Sequence, residues 1–147
     1  MMLLLGAGCG GGGSGDPDVI ANHPISGHLA PVTTWTYMTG HARLSSDAAL
    51  YFITLYPASF HPCTDTPPST ADDDNTVVIN VPPVVGTYQV GTTPNLASFS
   101  GLDDIEATTG FVVIDTIMAT SISGGANISG GPGYPDANGT FQATICP

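Results

Sequence analysis

The chain has no lysine and a single arginine, Arg43, against twelve acidic residues, leaving a formal net charge of −11. Nucleic acid is held through many phosphate contacts from Lys and Arg, so a nucleic-acid partner is excluded. The same imbalance makes the body of the protein repel anionic lipid surfaces and leaves an anionic substrate without a clamp. Charged residues are only 9% of the chain while 41% is hydrophobic. That is the composition of a folded globule, not of a charge-rich disordered segment. No apolar stretch approaches the ~20 residues that a spanning helix needs. Also missing are H-E-x-x-H, C-x-x-C and G-x-S-x-G, the local signatures of zinc hydrolases, metal or redox thiols and serine hydrolases. No enzymatic activity is therefore expected. With 147 residues there is room for one domain.

What is present begins with MMLLLGAGCGGGGSGDPDV. Gly6, Gly8 and Gly11 spell G-x-G-x-x-G, but a dinucleotide turn needs a helix to start there. Gly12, Gly13, Gly15 and Pro17 forbid one, at about 1 kcal/mol per glycine and about 3 for proline. A short apolar run, small residues at 6–8 and then Cys9 instead resemble the signal end of bacterial lipoproteins. That resemblance implies a signal-peptide remnant over 1–8, lipidation of Cys9 and a membrane anchor through it. Gly10 after the cysteine implies the outer membrane. Gly6 stands where leucine is usual, and no basic residue precedes the run. Residues 9–28 are expected to be a flexible glycine-rich tether, and 29–147 the folded domain.

The body is rich in Thr, Val, Ile and aromatics, cut at short intervals by Gly, Pro, Asn and Asp. This rhythm predicts an all-β domain, a single antiparallel β-sandwich of Ig-like size with about seven or eight strands. Strands are expected over 31–39, broken or bulged at Gly40-His41, and over 48–56, 76–81, 86–90, 96–99, 110–118, 121–129 and 140–146. Residues 121–129 are expected to pair with 110–118 through a tight hairpin. Prolines make 57–75 a long loop. The turn before the last strand is expected at Asn138-Gly139. The expected inner face is Trp35, Leu50, Phe52, Ile79, Tyr88, Val113, Ile114 and Phe141. The C-terminal half, GTYQVG … TGFVVIDTI … ISGG … NGTFQATIC, resembles small bacterial lipoproteins of uncharacterised function. Those families carry GTY, G-x-V-x-I and GTF strands on a β-sandwich. The resemblance covers about residues 84–146 and implies a fold and an envelope location, with no catalytic residues.

Three cysteines make an odd count. With Cys9 lipidated, Cys63 and Cys146 remain as one pair, and an oxidising compartment favours a disulfide between them. Two free thiols, or a metal site using His61 and Cys63, are the alternatives. His23, His28, His41 and His61 follow no ligand spacing. Loop carboxylates with amide oxygens suit calcium, the one candidate cofactor. Asp72, Asp73 and Asp74, together with Asp136 and Asn138, are the candidate ligands, though none fits an EF-hand spacing. Tyr134, between Gly133 and Pro135, is the one tyrosine placed to stack on a glycan. A partner protein adding a strand to a free sheet edge is the other binding mode. The expected role is binding or structural, at the cell surface or in the periplasm. The alternative is a calcium-assisted carbohydrate-binding or accessory domain of an extracellular system.

Overall fold

The computed structural model describes residues 18–30, 33–67, 75–101, 104–133 and 135–147. Every regular element among them is a strand. In chain order these are β1 (Ser26–Ala30), β2 (Thr33–Thr36), β3 (Thr39–Leu44), β4 (Tyr51–Tyr56), β5 (Thr76–Val81) and β6 (Gly86–Gln89). They are followed by β7 (Ala97–Ser100), β8 (Ile105–Glu106), β9 (Thr109–Ile117), β10 (Ser121–Ser129) and β11 (Asp136–Cys146). The fold is all-β. β-Branched residues suit the pleated surface, and Pro82-Pro83 or glycine-bearing turns stop each run.

Hydrogen bonding links the strands in the order β6-β9-β10-β11-β3-β4-β5-β7-β8, and β1 with β2 branches from β11. The sheet is mixed, not strictly antiparallel. Thr144, Ile145 and Cys146 of β11 run parallel to His41, Ala42 and Arg43 of β3. Among the described residues eleven strands stand where seven or eight were expected, arranged as one curled sheet. β11 is the pivot. Its first residues, Asp136 to Asn138, take β1 antiparallel, and its last three take β3. A strand of 11 residues is long enough to serve different neighbours at its two ends as the sheet twists.

One apolar face is buried along the whole sheet. Ile53 and Leu55, Val77, Ile79 and Val81, and Phe99 fill it from one half, and Val112, Ile114, Ile122, Ile128 and Phe141 from the other. Trp35 also lies in this core, its indole N–H donating to the Asn75 carbonyl at 2.8 Å. Of the expected inner face, Trp35, Ile79, Ile114 and Phe141 are buried, while Phe52 is 43% exposed. Leu50, Tyr88 and Val113 are half-buried. In β4 the inward set is Ile53 and Leu55, because the run is apolar on both faces and gives no alternation to read. The break in the expected strand over 31–39 falls at Tyr37-Met38, and Gly40 and His41 sit inside β3.

Two boundaries change. The last strand begins at Asp136, so Asp136 and Asn138 are strand residues and not loop residues. The turn lies earlier, where the Gly130 N–H donates to the Pro135 carbonyl at 2.8 Å. Gly139 does have a positive φ of 140°, but within β11, where its missing side chain lets His23 and Ile25 pass close by. The expected tether over 9–28 gives way to a docked strap from Asp18 onward; its earlier residues lie outside the described ones. Ile25 is fully buried and its N–H donates to the Thr140 carbonyl at 2.8 Å.

Cys63 and Cys146 are joined in a disulfide, with Cα atoms 5.3 Å apart and 83 residues of separation. It ties the loop after β4 to the end of β11. The sulfur of Cys63 is thereby taken, which removes the metal alternative with His61.

Candidate functional site

Alternation along β9, β10 and β11 sends Val112, Ile114, Ala126, Ile128, Ala137 and Phe141 into the core. The intervening residues meet on the outer face, and the register lines them up in two rows. In the first, Gln89 of β6 faces Phe111 of β9, which faces Asn127 of β10, then Asn138 of β11, then Ser26 of β1. In the second, Thr109 faces Ser129, then Asp136, then His28. Directly opposite positions bring side chains within about 4.5–5.5 Å at Cβ, so each row is a continuous strip.

All of these residues except His28 line a cleft of about 530 Å³, together with Asp18. The strap builds one wall. Asn138 accepts from the Ala21 N–H at 2.9 Å and donates to the Val19 carbonyl at 3.2 Å. Asn127 donates to the same carbonyl at 3.1 Å. Glycine at 125 leaves room for the strap, since a Cβ there would lie 2.7 Å from Ile20. Two carboxamides and one glycine therefore hold the N-terminal segment across β10 and β11.

At the other side, Asp136 accepts from the His28 backbone N–H at 3.0 Å, and its carboxylate lies 3.2 Å from the imidazole Nδ1. Both side chains are more than half exposed, at 61% and 53%, so solvent screens this pair. The pair has the form of a base with an orienting carboxylate. Among the described residues, no side-chain hydroxyl or thiol is hydrogen-bonded to this imidazole.

A second, shallower concavity of about 450 Å³ lies where β3 meets β11, lined by Tyr37, Met38, Pro62, Thr120 and Gln142 among others. The Tyr37 phenol donates to the Gln142 carbonyl, and burial holds its pKa above the ordinary value despite that bond. Nearby, His41 meets Tyr56 with ring centroids 5.4 Å apart and planes tilted by 45°, and Phe60 meets Tyr56 edge-on at 5.0 Å. Burial and then the Arg43 charge lower the His41 pKa, while burial raises that of Tyr56.

Of the residues singled out in the sequence, the structure brings Cys63 and Cys146 together. Asp136 and Asn138 share the cleft, where one Asp136 carboxylate oxygen accepts from His28 and the Asn138 carboxamide is bonded to the strap. Among the described residues, no group of three His, Cys, Asp or Glu side chains is placed to hold a metal. Cys9, Asp72, Asp73, Asp74 and Tyr134 lie outside the described residues. Sequence reasoning passed over Gln89, Phe111 and Asn127, which only the pairing register gathers into one row. Comparison with protein-family models, with curated proteins and with solved structures gives no match.

Proposed function

We propose that the chain is a non-enzymatic module of the cell envelope or exterior, working by binding, with Cys9 as its lipid anchor. The observation that supports this most is the disulfide. Cytosolic thiols are kept reduced, so a bridge between the loop after β4 and the end of β11 suits an oxidising compartment. The body is arranged in the manner of a β-sandwich, its apolar face turned inward and its strands held at one end by that bridge. The leader-like start and the C-terminal GTY and GTF strands, resembling small bacterial lipoproteins, point the same way.

The cleft on β9–β11 suits a binding role, because it is concave and carries converging polar groups around one aromatic ring. Eight residues lie between Cys9 and Asp18 at its edge, nine chain steps that reach at most about 30 Å. An anchored protein would then present the cleft close to the membrane that holds it. The test is protein isolated from its own cells with thiols blocked at lysis. A Cys63–Cys146 cross-linked peptide and a diacylglyceryl-modified Cys9 are the expected result. Two alkylated cysteines at 63 and 146, with an unmodified Cys9, would contradict it.

A further inference from the structure

We propose that the Cys63–Cys146 bridge is a site of thiol–disulfide exchange, opened by a dithiol at Cys63 to release the loop after β4. The device is independent of the cleft and of an anchor at Cys9. The two sulfurs differ in access. Cys63 is exposed, whereas Cys146 is only 5% exposed, so an incoming thiolate reaches the bridge from the Cys63 side. Cys63 also holds a φ of 70°, a left-handed backbone that residues other than glycine rarely adopt. Release of the bridge lets that backbone relax, which favours the opened form.

The loop is built to move as a unit. Within it, the Asp65 N–H donates to the His61 carbonyl at 3.0 Å, and the His61 N–H donates to the Asp65 carboxylate at 2.9 Å. Neither bond depends on the bridge. Ties from the loop to the strands are few among the described residues. The Phe60 N–H donates to the Thr39 hydroxyl at 3.4 Å, the Phe60 ring meets Tyr56, and the disulfide holds Cys146. The apolar core, with Ile53, Leu55, Val77 and Ile79, lies on the other face of the sheet and contains neither cysteine. Opening the bridge therefore leaves the core in place.

Register supplies the charge that the exchange needs. Cys146 lies directly opposite Arg43, the sole Lys or Arg of the chain. Among the described residues Arg43 makes no ion pair. One thiolate of the dithiol forms a bond to the Cys63 sulfur, the Cys63–Cys146 bond breaks, and its electron pair leaves on Cys146. The neighbouring guanidinium stabilises the thiolate formed there, as a cation does beside any departing thiolate. The second thiol of the reductant then attacks the mixed disulfide and frees Cys63. Two electrons pass to the bridge, both thiol protons end on Cys63 and Cys146, and the reductant leaves as its own disulfide. The freed loop uncovers Tyr56, which with His41 and the exposed Phe52 makes an aromatic face on β3 and β4.

The test is reduction of the purified, oxidised full chain by dithiothreitol at neutral pH without denaturant. Alkylation with peptide mass spectrometry follows Cys63 and Cys146, and hydrogen–deuterium exchange follows the fold. Both cysteines should become alkylated while β9 and β10 keep their protection, and exchange over residues 57–67 should rise about ten-fold. Arg43→Gln should slow the reduction about three-fold, and Arg43→Lys should restore it. A double variant, Cys63→Ser with Cys146→Ser, should show the loose loop without any reductant. A bridge that opens only at denaturant concentrations that unfold the chain overturns the proposal. So does reduction that strips protection from β9 and β10, or that leaves residues 57–67 as slow as before. An Arg43→Gln rate equal to the parent's overturns it as well. A chain oxidised in its own cells that fails these tests loses only this inference. A chain with free thiols in the cell loses the envelope reading, whatever the purified bridge does.

Discussion

The two halves of the sheet share one interior and differ outside. On the inner face β4, β5 and β7 contribute Ile53, Leu55, Val77, Ile79 and Phe99, and β9 to β11 contribute Val112, Ile114, Ile122, Ile128 and Phe141. Outside, β3 and β4 carry large side chains, among them His41, Arg43, Phe52 and Tyr56, with Phe52 43% exposed. The outer face of β10 and β11 instead carries Gly125, Asn127, Asn138 and Thr140, and the N-terminal strap lies across it. Apolar burial accounts for both halves folding. Small and amide-bearing residues on one exterior account for the strap and the cleft.

The comparison can be broken most forcefully at the bridge. Cys63→Ser should destabilise the chain by about 4 kcal/mol, the chain-entropy value for a ring of this length, read as a fall in the denaturant midpoint. Next is the strap. Ile25→Ala should cost about 3 kcal/mol, because a fully buried side chain is cut back to a cavity. Its mark should be faster amide exchange over residues 19–28, with β4 and β5 unaffected at their own amides. Asn138→Ala removes two bonds to the strap and should cost about 1 kcal/mol.

Acid should act on the other half. The folded pKa of His41 lies below its ordinary 6.5, so the unfolded chain takes up this proton more readily. Stability is then full above pH 6.5 and falls as pH drops from there toward the folded value. His41→Gln should flatten that part of a pH–melting profile. The smallest effect is expected at Phe52→Thr, within about 0.5 kcal/mol of the parent, because the ring is largely in water.

Much of the strand pattern can be read along the chain, and the reasons it fails are local. Thr76–Val81 and Ser121–Ser129 stand as the residue pattern places them, since β-branched or alternating runs are bounded there by prolines, glycines and turns. β1 is invisible because Ser26–Ala30 has neither alternation nor β-prone residues, and it becomes a strand by pairing with β11. Asp136 to Gly139 reads as a turn because Asp, Asn and Gly favour turns. Pairing to β10 on one side, with β1 and the residues before it on the other, overrides that preference. The parallel contact of β11 with β3 joins segments about a hundred residues apart and leaves no local trace. The cleft is hidden for the same reason. Gln89, Phe111 and Asn127 each sit in an ordinary strand, and only the register sets them side by side.

Hydrogen–deuterium exchange of the oxidised chain, followed peptide by peptide at neutral pH, tests the central claim most directly. Residues 19–28 should exchange on the slow timescale of β10 and β11, because Ile25 is buried and Asn127 and Asn138 hold the Val19 carbonyl. Exchange of that segment at the rate of free coil, with β10 and β11 still protected, would remove the wall of the cleft and contradict the account.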